Sequence, residues 1–252
     1  MSIKHISIWF PLLLVISILI QCNPKEEREI QNPTLKKILD AHGGLQQWDN
    51  QNTLQYTLGN QEQTIDLKSR NVKITAPDYT MGSSGDTVWI MQDTASFKGS
   101  PRFYHNLMFY FHSVPFVFAD KGIHYEKVAD KEIEGHTYGG LKISFDEGVG
   151  DASKDQYIIY YDTATLQMKW LAYNSTYSSQ KKSDKYNLIK YATWEKVNGL
   201  LLPSELQWYE YENGEVGSPR GNPRLFSGVS LSDKHMGAGF YKAPDGAELD
   251  VR

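Results

Sequence analysis

The chain is poor in several features that carry chemistry elsewhere. It has one cysteine, Cys22, in 252 residues. An intrachain disulfide is excluded by count, and so is a thiolate-rich metal centre. It has no excess of base: 26 Lys+Arg against 30 Asp+Glu give a formal net charge of -4. That balance offers no electrostatic footprint for nucleic acid, and no such partner is expected. It has no glycine-rich nucleotide fingerprint; "GAGFYK" at 237–242 lacks the last glycine. It has no nucleophile elbow: "GSSG" at 82–85 has the wrong spacing, and "GVSLS" at 228–232 lacks the second glycine. No cofactor is implied.

The longest apolar run, Ile6–Ile20, falls short of the roughly 20 residues that span a bilayer as a helix. Its length and its sparse positive start at Lys4 fit a secretory signal peptide over residues 1–21. Cys22 follows directly. One reading makes it a small hydrophobe inside a membrane anchor. The other makes it the lipidated first residue of a lipoprotein, because "LIQC" resembles a lipobox, although Gln21 replaces the usual small residue. Acyl chains on Cys22 would anchor the protein strongly, at about 0.8 kcal/mol per buried CH₂. Residues 22–32 are polar and read as a tether. Lys25-Glu26-Glu27 resembles the signal that sends some Gram-negative lipoproteins to the cell surface.

Residues 33–252 read as a single domain. Asn32-Pro33 opens a helix as cap and first helical residue, and Leu35, Ile38, Leu39 and His42 share a face. Gly43-Gly44 ends it. His42-Gly43-Gly44 also looks like an oxyanion loop, but it precedes the first strand, and a helix stop followed by the packing residue Trp48 accounts for it better.

From Thr53 the period becomes two. Strands are expected at 53–58, across "TIDLKSRNVKI" (64–74), at 87–91 after a turn at Gly82–Gly85, and at 141–145. Two more flank Asp162–Thr165, two flank Asn198-Gly199, and "RLFSGVSLSD" is the expected last strand. Roughly nine to eleven strands imply one large antiparallel sheet. The aromatic stretch 101–120 breaks the pattern and reads as one or two buried helices on or inside a curved sheet.

Candidates for chemistry are few. His105 and His112, on one straight helix, would stand about 10.5 Å apart, too far to share a zinc ion. His124 and His136 lack ligand spacing, and no metal site is expected. "FDEGVGDASKD" (145–155) lacks the calcium-loop pattern and reads as a solvated hairpin loop. Asn174-Ser175-Thr176 matches a glycosylation sequon that carries no information in a bacterial lipoprotein.

"ILDAHGGLQQWDN" followed by the first strand resembles the start of uncharacterised Gram-negative lipoproteins in a family of unknown function. "YYDTATLQMKWLAY" and "VNGLLLPSELQWY" resemble strand pairs of the wider LolA-like group. The likeness touches most of residues 33–232. It implies a mainly β (α+β) fold: a large curved antiparallel sheet forming an incomplete barrel, with a short N-terminal helix and one or two helices on its concave side. It also implies a hollow able to take acyl chains.

The expected protein is an anchored lipoprotein of the Gram-negative outer membrane, facing the periplasm or the cell surface. It is not an enzyme on this reading. It binds the membrane through the lipid on Cys22 and holds a lipid or another hydrophobic small molecule; no protein partner is identified. Trp89, Phe109, Phe116, Tyr161 and Trp170 are the expected cavity residues, with His42, Gly43, Gly44 and Trp48 a structural motif. Two alternatives stand beside it: a surface interaction protein with a filled core, and a hydrolase using His42 or His105.

Overall fold

The computed structural model describes residues 28–146, 154–176, 185–237 and 239–250. The expected signal peptide, the lipidation site Cys22 and most of the acidic loop after Phe145 lie outside the described residues.

Helix α1 spans Pro33–Ala41. The Asn32 side chain accepts hydrogen bonds from the amides of Thr34 (3.1 Å) and Leu35 (2.9 Å), relieving two amides that no helical carbonyl can reach. Leu35, Ile38 and Leu39 are buried. The helix ends at Gly43, where φ is +104°, and the Gly44 amide returns to the Leu39 carbonyl at 2.9 Å. A second reason for glycine lies across the fold. A Cβ on Gly43 would stand 2.4 Å from the Gly199 carbonyl oxygen. The Leu201 amide meets the His42 carbonyl at 2.9 Å. The His-Gly-Gly stretch is therefore joined to a hairpin turn more than a hundred residues later in the chain. Short helix α2, Leu45–Asp49, then lays Trp48 flat on Phe116, centroids 4.8 Å apart.

Thirteen strands form one sheet among the described residues. They are β1 (Thr53–Leu58), β2 (Gln61–Asp66), β3 (Val72–Ala76), β4 (Tyr79–Ser84), β5 (Thr87–Gln92), β6 (Ile123–Ile133), β7 (His136–Phe145), β8 (Tyr157–Asp162), β9 (Met168–Tyr173), β10 (Asn187–Val197), β11 (Leu200–Glu212), β12 (Glu215–Ser232) and β13 (Glu248–Asp250). The order across the sheet is β13-β5-β4-β3-β2-β1-β12-β11-β10-β9-β8-β7-β6. Two meanders, β1 to β5 and β6 to β12, join where β12 pairs with β1. The sheet is not closed: β13 and β6 are its edges.

Several boundaries depart from expectation. The stretch 64–74 is two strands, because Leu67–Asn71 form a turn in which the Asp66 side chain accepts from the amides of Lys68 and Ser69. Gly82 lies inside β4 and not at a turn; the turn comes after Ser84. β12 is not the last strand, since β13 pairs beside β5. Asn198-Gly199 is the expected tight turn, with φ of 48° and 84°. At the other expected turn, the Asp162 carboxylate accepts from the amides of Ala164 and Thr165.

The order explains the aromatic segment. β5 stands next to one edge and β6 forms the other, so the chain between them must cross the whole sheet. It does so as α3 (Pro101–Tyr104), α4 (Leu107–His112) and a 3-10 turn at Phe116–Ala119. The crossing is three pieces and not one straight helix, so His105 and His112 do not share a helical face. A flat sheet of this order would be roughly 58 Å wide at about 4.8 Å per strand. Yet the crossing segment bonds both ends. Arg102 donates to the Asp86 carbonyl near β5, and Tyr125 of β6 donates to the Phe118 carbonyl at 2.6 Å. The sheet therefore curves around the segment, and one core cluster draws residues from both meanders.

The opposite face carries a smaller cluster: Ile133, Tyr160, Trp170, Ala172 and Leu188. The end of the expected tether is held to the domain. Arg28 donates to Asp49 at 2.8 Å and 2.5 Å and to Asp120 at 3.2 Å.

Candidate ligand cavity

Between the crossing segment and the concave face lies a partly open cavity of about 1260 Å³. Leu107 and Phe111, one helical turn apart on α4, form one wall. Tyr157, Tyr173 and Trp208, from β8, β9 and β11, continue that wall across the sheet. Phe111 lies 5.0 Å from Tyr173 and 5.7 Å from Trp208, centroid to centroid. The Trp208 indole N–H donates to the Tyr173 hydroxyl at 3.0 Å. The wall thus satisfies its own indole donor and leaves aromatic faces for a ligand. Burial, with Asp155 nearby, pushes the Tyr157 phenol up, so it stays neutral.

Register makes the opening. β1 and its neighbour pair only from Leu58 opposite Phe226 onward. Below that point, residues 215–225 of β12 pair with β11 alone. The β1–β2 turn at Gly59-Asn60 stops short, and the unpaired side of β12 faces it across the mouth. Phe103 and Tyr110, 38% and 39% exposed, stand at the same rim.

Three polar side chains of the wall stand out: Asp155, Arg220 and Arg224. Asp155 is buried; its Oδ1 accepts from the Thr176 amide (2.6 Å) and hydroxyl (2.7 Å). Burial raises its pKa, and the Thr176 hydrogen bonds oppose the rise. Asn174 accepts from the Gln156 amide at 2.7 Å. Two of the sequon side chains, Asn174 and Thr176, therefore latch the start of β8 to the end of β9. Arg220 and Arg224 extend from β12 at the mouth.

The five residues expected to line a cavity are not on this wall. Trp89 and Trp170 point to the other face. Trp89 donates to the Tyr241 carbonyl at 2.9 Å, beneath the C-terminal segment. Trp170 lies in the outer cluster, with Lys190 5.0 Å above its ring. A strand alternates by single residues, so Leu171 and Tyr173 inward fix Trp170 outward. Phe109 and Phe116 face the crossing segment's other side: Phe109 lies under the Arg70 guanidinium at 5.2 Å, and Phe116 on Trp48. Tyr161 is in the main core, lying over Gly139. The actual wall residues Phe111, Tyr157, Tyr173 and Trp208 all stood within the expected helix and strands. Tyr173 and Trp208 share the parity of the core residues Leu171 and Leu206, and that parity separates them from their neighbours once the concave face is known.

The histidines do not converge on a reaction centre. His42 is fully buried, its Nδ1 2.7 Å from the Ile38 carbonyl and its ring 4.8 Å from that of Trp194. Burial lowers its pKa to about 4. His105 Nδ1 meets the Arg102 carbonyl at 2.8 Å. His112 is buried between Tyr56 and Phe226, with its pKa lowered by burial to about 3. The carboxylate-paired histidines are elsewhere: His124 with Asp146, and His235 with Asp66. Among the described residues, no three of His, Cys, Asp and Glu stand together as a metal-ligand set.

Residues 92–205 match the sequence model of a family of unknown function, DUF6503. The matched part runs from the end of β5, through the crossing segment, into β11. It thus includes most of the cavity wall but not the arginines of β12. No curated protein matches the chain. Among solved structures, the chain is similar to a DUF1329 family protein from Desulfovibrio piger, with 13% identity, a TM-score of 0.49, and 84% of this chain and 98% of that chain covered. It is also similar to a LolA superfamily protein from Nitrosomonas europaea, with 9% identity, a TM-score of 0.48, and 84% and 99% covered. A third likeness is to a putative outer membrane lipoprotein-sorting protein domain from Vibrio parahaemolyticus, with 11% identity, a TM-score of 0.42, and 80% and 97% covered.

Proposed function

We propose that the chain is an anchored envelope lipoprotein whose curved sheet holds a lipid or another apolar ligand without catalysis. The cavity carries this reading. Its volume of about 1260 Å³ exceeds the roughly 300–1,000 Å³ of ordinary small-molecule pockets, and its wall is chiefly aromatic and aliphatic. Each CH₂ moved from water onto such a wall contributes about 0.8 kcal/mol, so an acyl chain binds by burial alone. In the same reading residues 1–21 are the signal peptide and residues 22–32 a tether. A lipid on Cys22 fixes the protein to the outer membrane.

A fragment beginning at Asn23 keeps every described element in one sheet with one main core. Titration of this fragment with a fluorescent fatty acid tests the reading. Leu107 is half-buried on the cavity wall. Leu107→Glu places a carboxylate there and is expected to weaken binding at least tenfold with the unfolding midpoint nearly unchanged. Undiminished binding by this variant, or none by the parent, contradicts the reading.

A further inference from the structure

Arg220 and Arg224 are exposed yet belong to the cavity wall. Register fixes where they point. Arg220 is opposite Trp208 and Arg224 is opposite Leu206. Residues directly opposite in an antiparallel pair project to the same face. Leu206 is in the main core and Trp208 packs against it, so both arginines face the concave side. Between them Gly221-Asn222-Pro223 form a bulge opposite Gln207, with φ of 68° at Gly221, and Gln207 donates to the Arg220 and Gly221 carbonyls. The bulge preserves parity while drawing the two arginines together. Their attachment points follow the Leu206–Trp208 step on β11, about 7 Å. Two guanidinium groups rooted at that distance can grip one carboxylate or phosphate.

Neither arginine has a counter-ion among the described residues. Arg220 donates to the neutral side-chain oxygen of Asn187 at 3.1 Å. The two carboxylates of the wall are engaged elsewhere: Asp120 by Arg28 and Arg70, and Asp155 by Thr176. The mouth of an apolar hollow therefore carries two cations, side by side and on the inward face, with no carboxylate partner among the described residues. We propose that the ligand is an anionic amphiphile, its acyl chain in the hollow and its carboxylate or phosphate head between Arg220 and Arg224. This rests on the apolar-ligand reading above and adds the chemistry of the head.

The test uses the fragment beginning at Asn23 with three probes of one chain length: palmitate, hexadecyl phosphate and hexadecanol. Each is titrated against displacement of a bound fluorescent fatty acid. At least one anion is expected to bind ten times more tightly than the alcohol. The comparison of palmitate with hexadecyl phosphate then tells a fatty acid from a phosphorylated lipid. In Arg220→Gln/Arg224→Gln the preference is expected to vanish, the anions falling to the affinity of hexadecanol. Equal binding of all three probes by the parent overturns the head-group assignment alone, and so does an anion preference that survives the double variant. No binding of any probe overturns the apolar-ligand reading and this assignment together.

Discussion

His112 shows how a single residue reports on this fold. Its ring lies 4.8 Å from Tyr56 and 4.5 Å from Phe226, fully buried, and burial lowers its pKa to about 3. His42 follows the same rule at about 4. In the unfolded chain both return to about 6.5. The unfolded state therefore binds more protons than the folded state below about pH 6.5. Stability is complete above that pH and is lost as pH falls toward the folded values. At pH 5 each histidine costs on the order of 2 kcal/mol. His112→Phe keeps an aromatic ring between Tyr56 and Phe226. Urea unfolding at pH 7 and pH 5 is expected to show a gap narrower by about 2 kcal/mol in the variant. An unchanged gap would mean that His112 is not buried neutral.

At the scale of elements, β12 is the unusual one. Its upper part is held on both sides, by β1 and β11, whereas residues 215–225 have β11 alone. A bare strand flank invites pairing with another chain. Pro219 and Pro223 remove amides from it, and the bulge at Gly221 breaks its line. Pro219→Val/Pro223→Val is expected to add concentration-dependent association that the parent lacks, read by light scattering after size exclusion. A strictly monomeric variant would show that the prolines do not guard this flank.

The same elements show what could be read beforehand. Asn32-Pro33, the Asp162 turn and Asn198-Gly199 announce themselves, because capping and tight turns are satisfied by residues next to one another in sequence. β6 does not. It is an edge strand whose charged residues, Glu126, Lys127, Asp130, Lys131 and Glu132, leave little alternation to detect. β13 is too short to carry a pattern. Trp89 and Trp170 mislead for another reason. This sheet packs aromatic residues on both faces, so a buried tryptophan does not identify the concave one. The arginines of β12 were legible only through pairing with Leu206 and Trp208, which no local signal encodes.

For the whole molecule, the placement of β5 and β6 governs everything else. Because they belong to opposite ends of the sheet, the chain between them must cross its face. Because that crossing is short and bonded at both ends, the sheet must bend around it. Because α4 meets the sheet through Phe111 at Tyr173 and Trp208 and leaves the lower part of β12 uncovered, a hollow remains. The account stands on that hollow being occupied by something greasy. Native mass spectrometry of the Asn23 fragment, secreted into the periplasm of a Gram-negative host and purified without detergent, tests this most directly. The account predicts a one-to-one adduct with the mass of an acyl-chain lipid, released into organic solvent. Bare protein alone, with no fatty acid taken up when one is supplied, would contradict it.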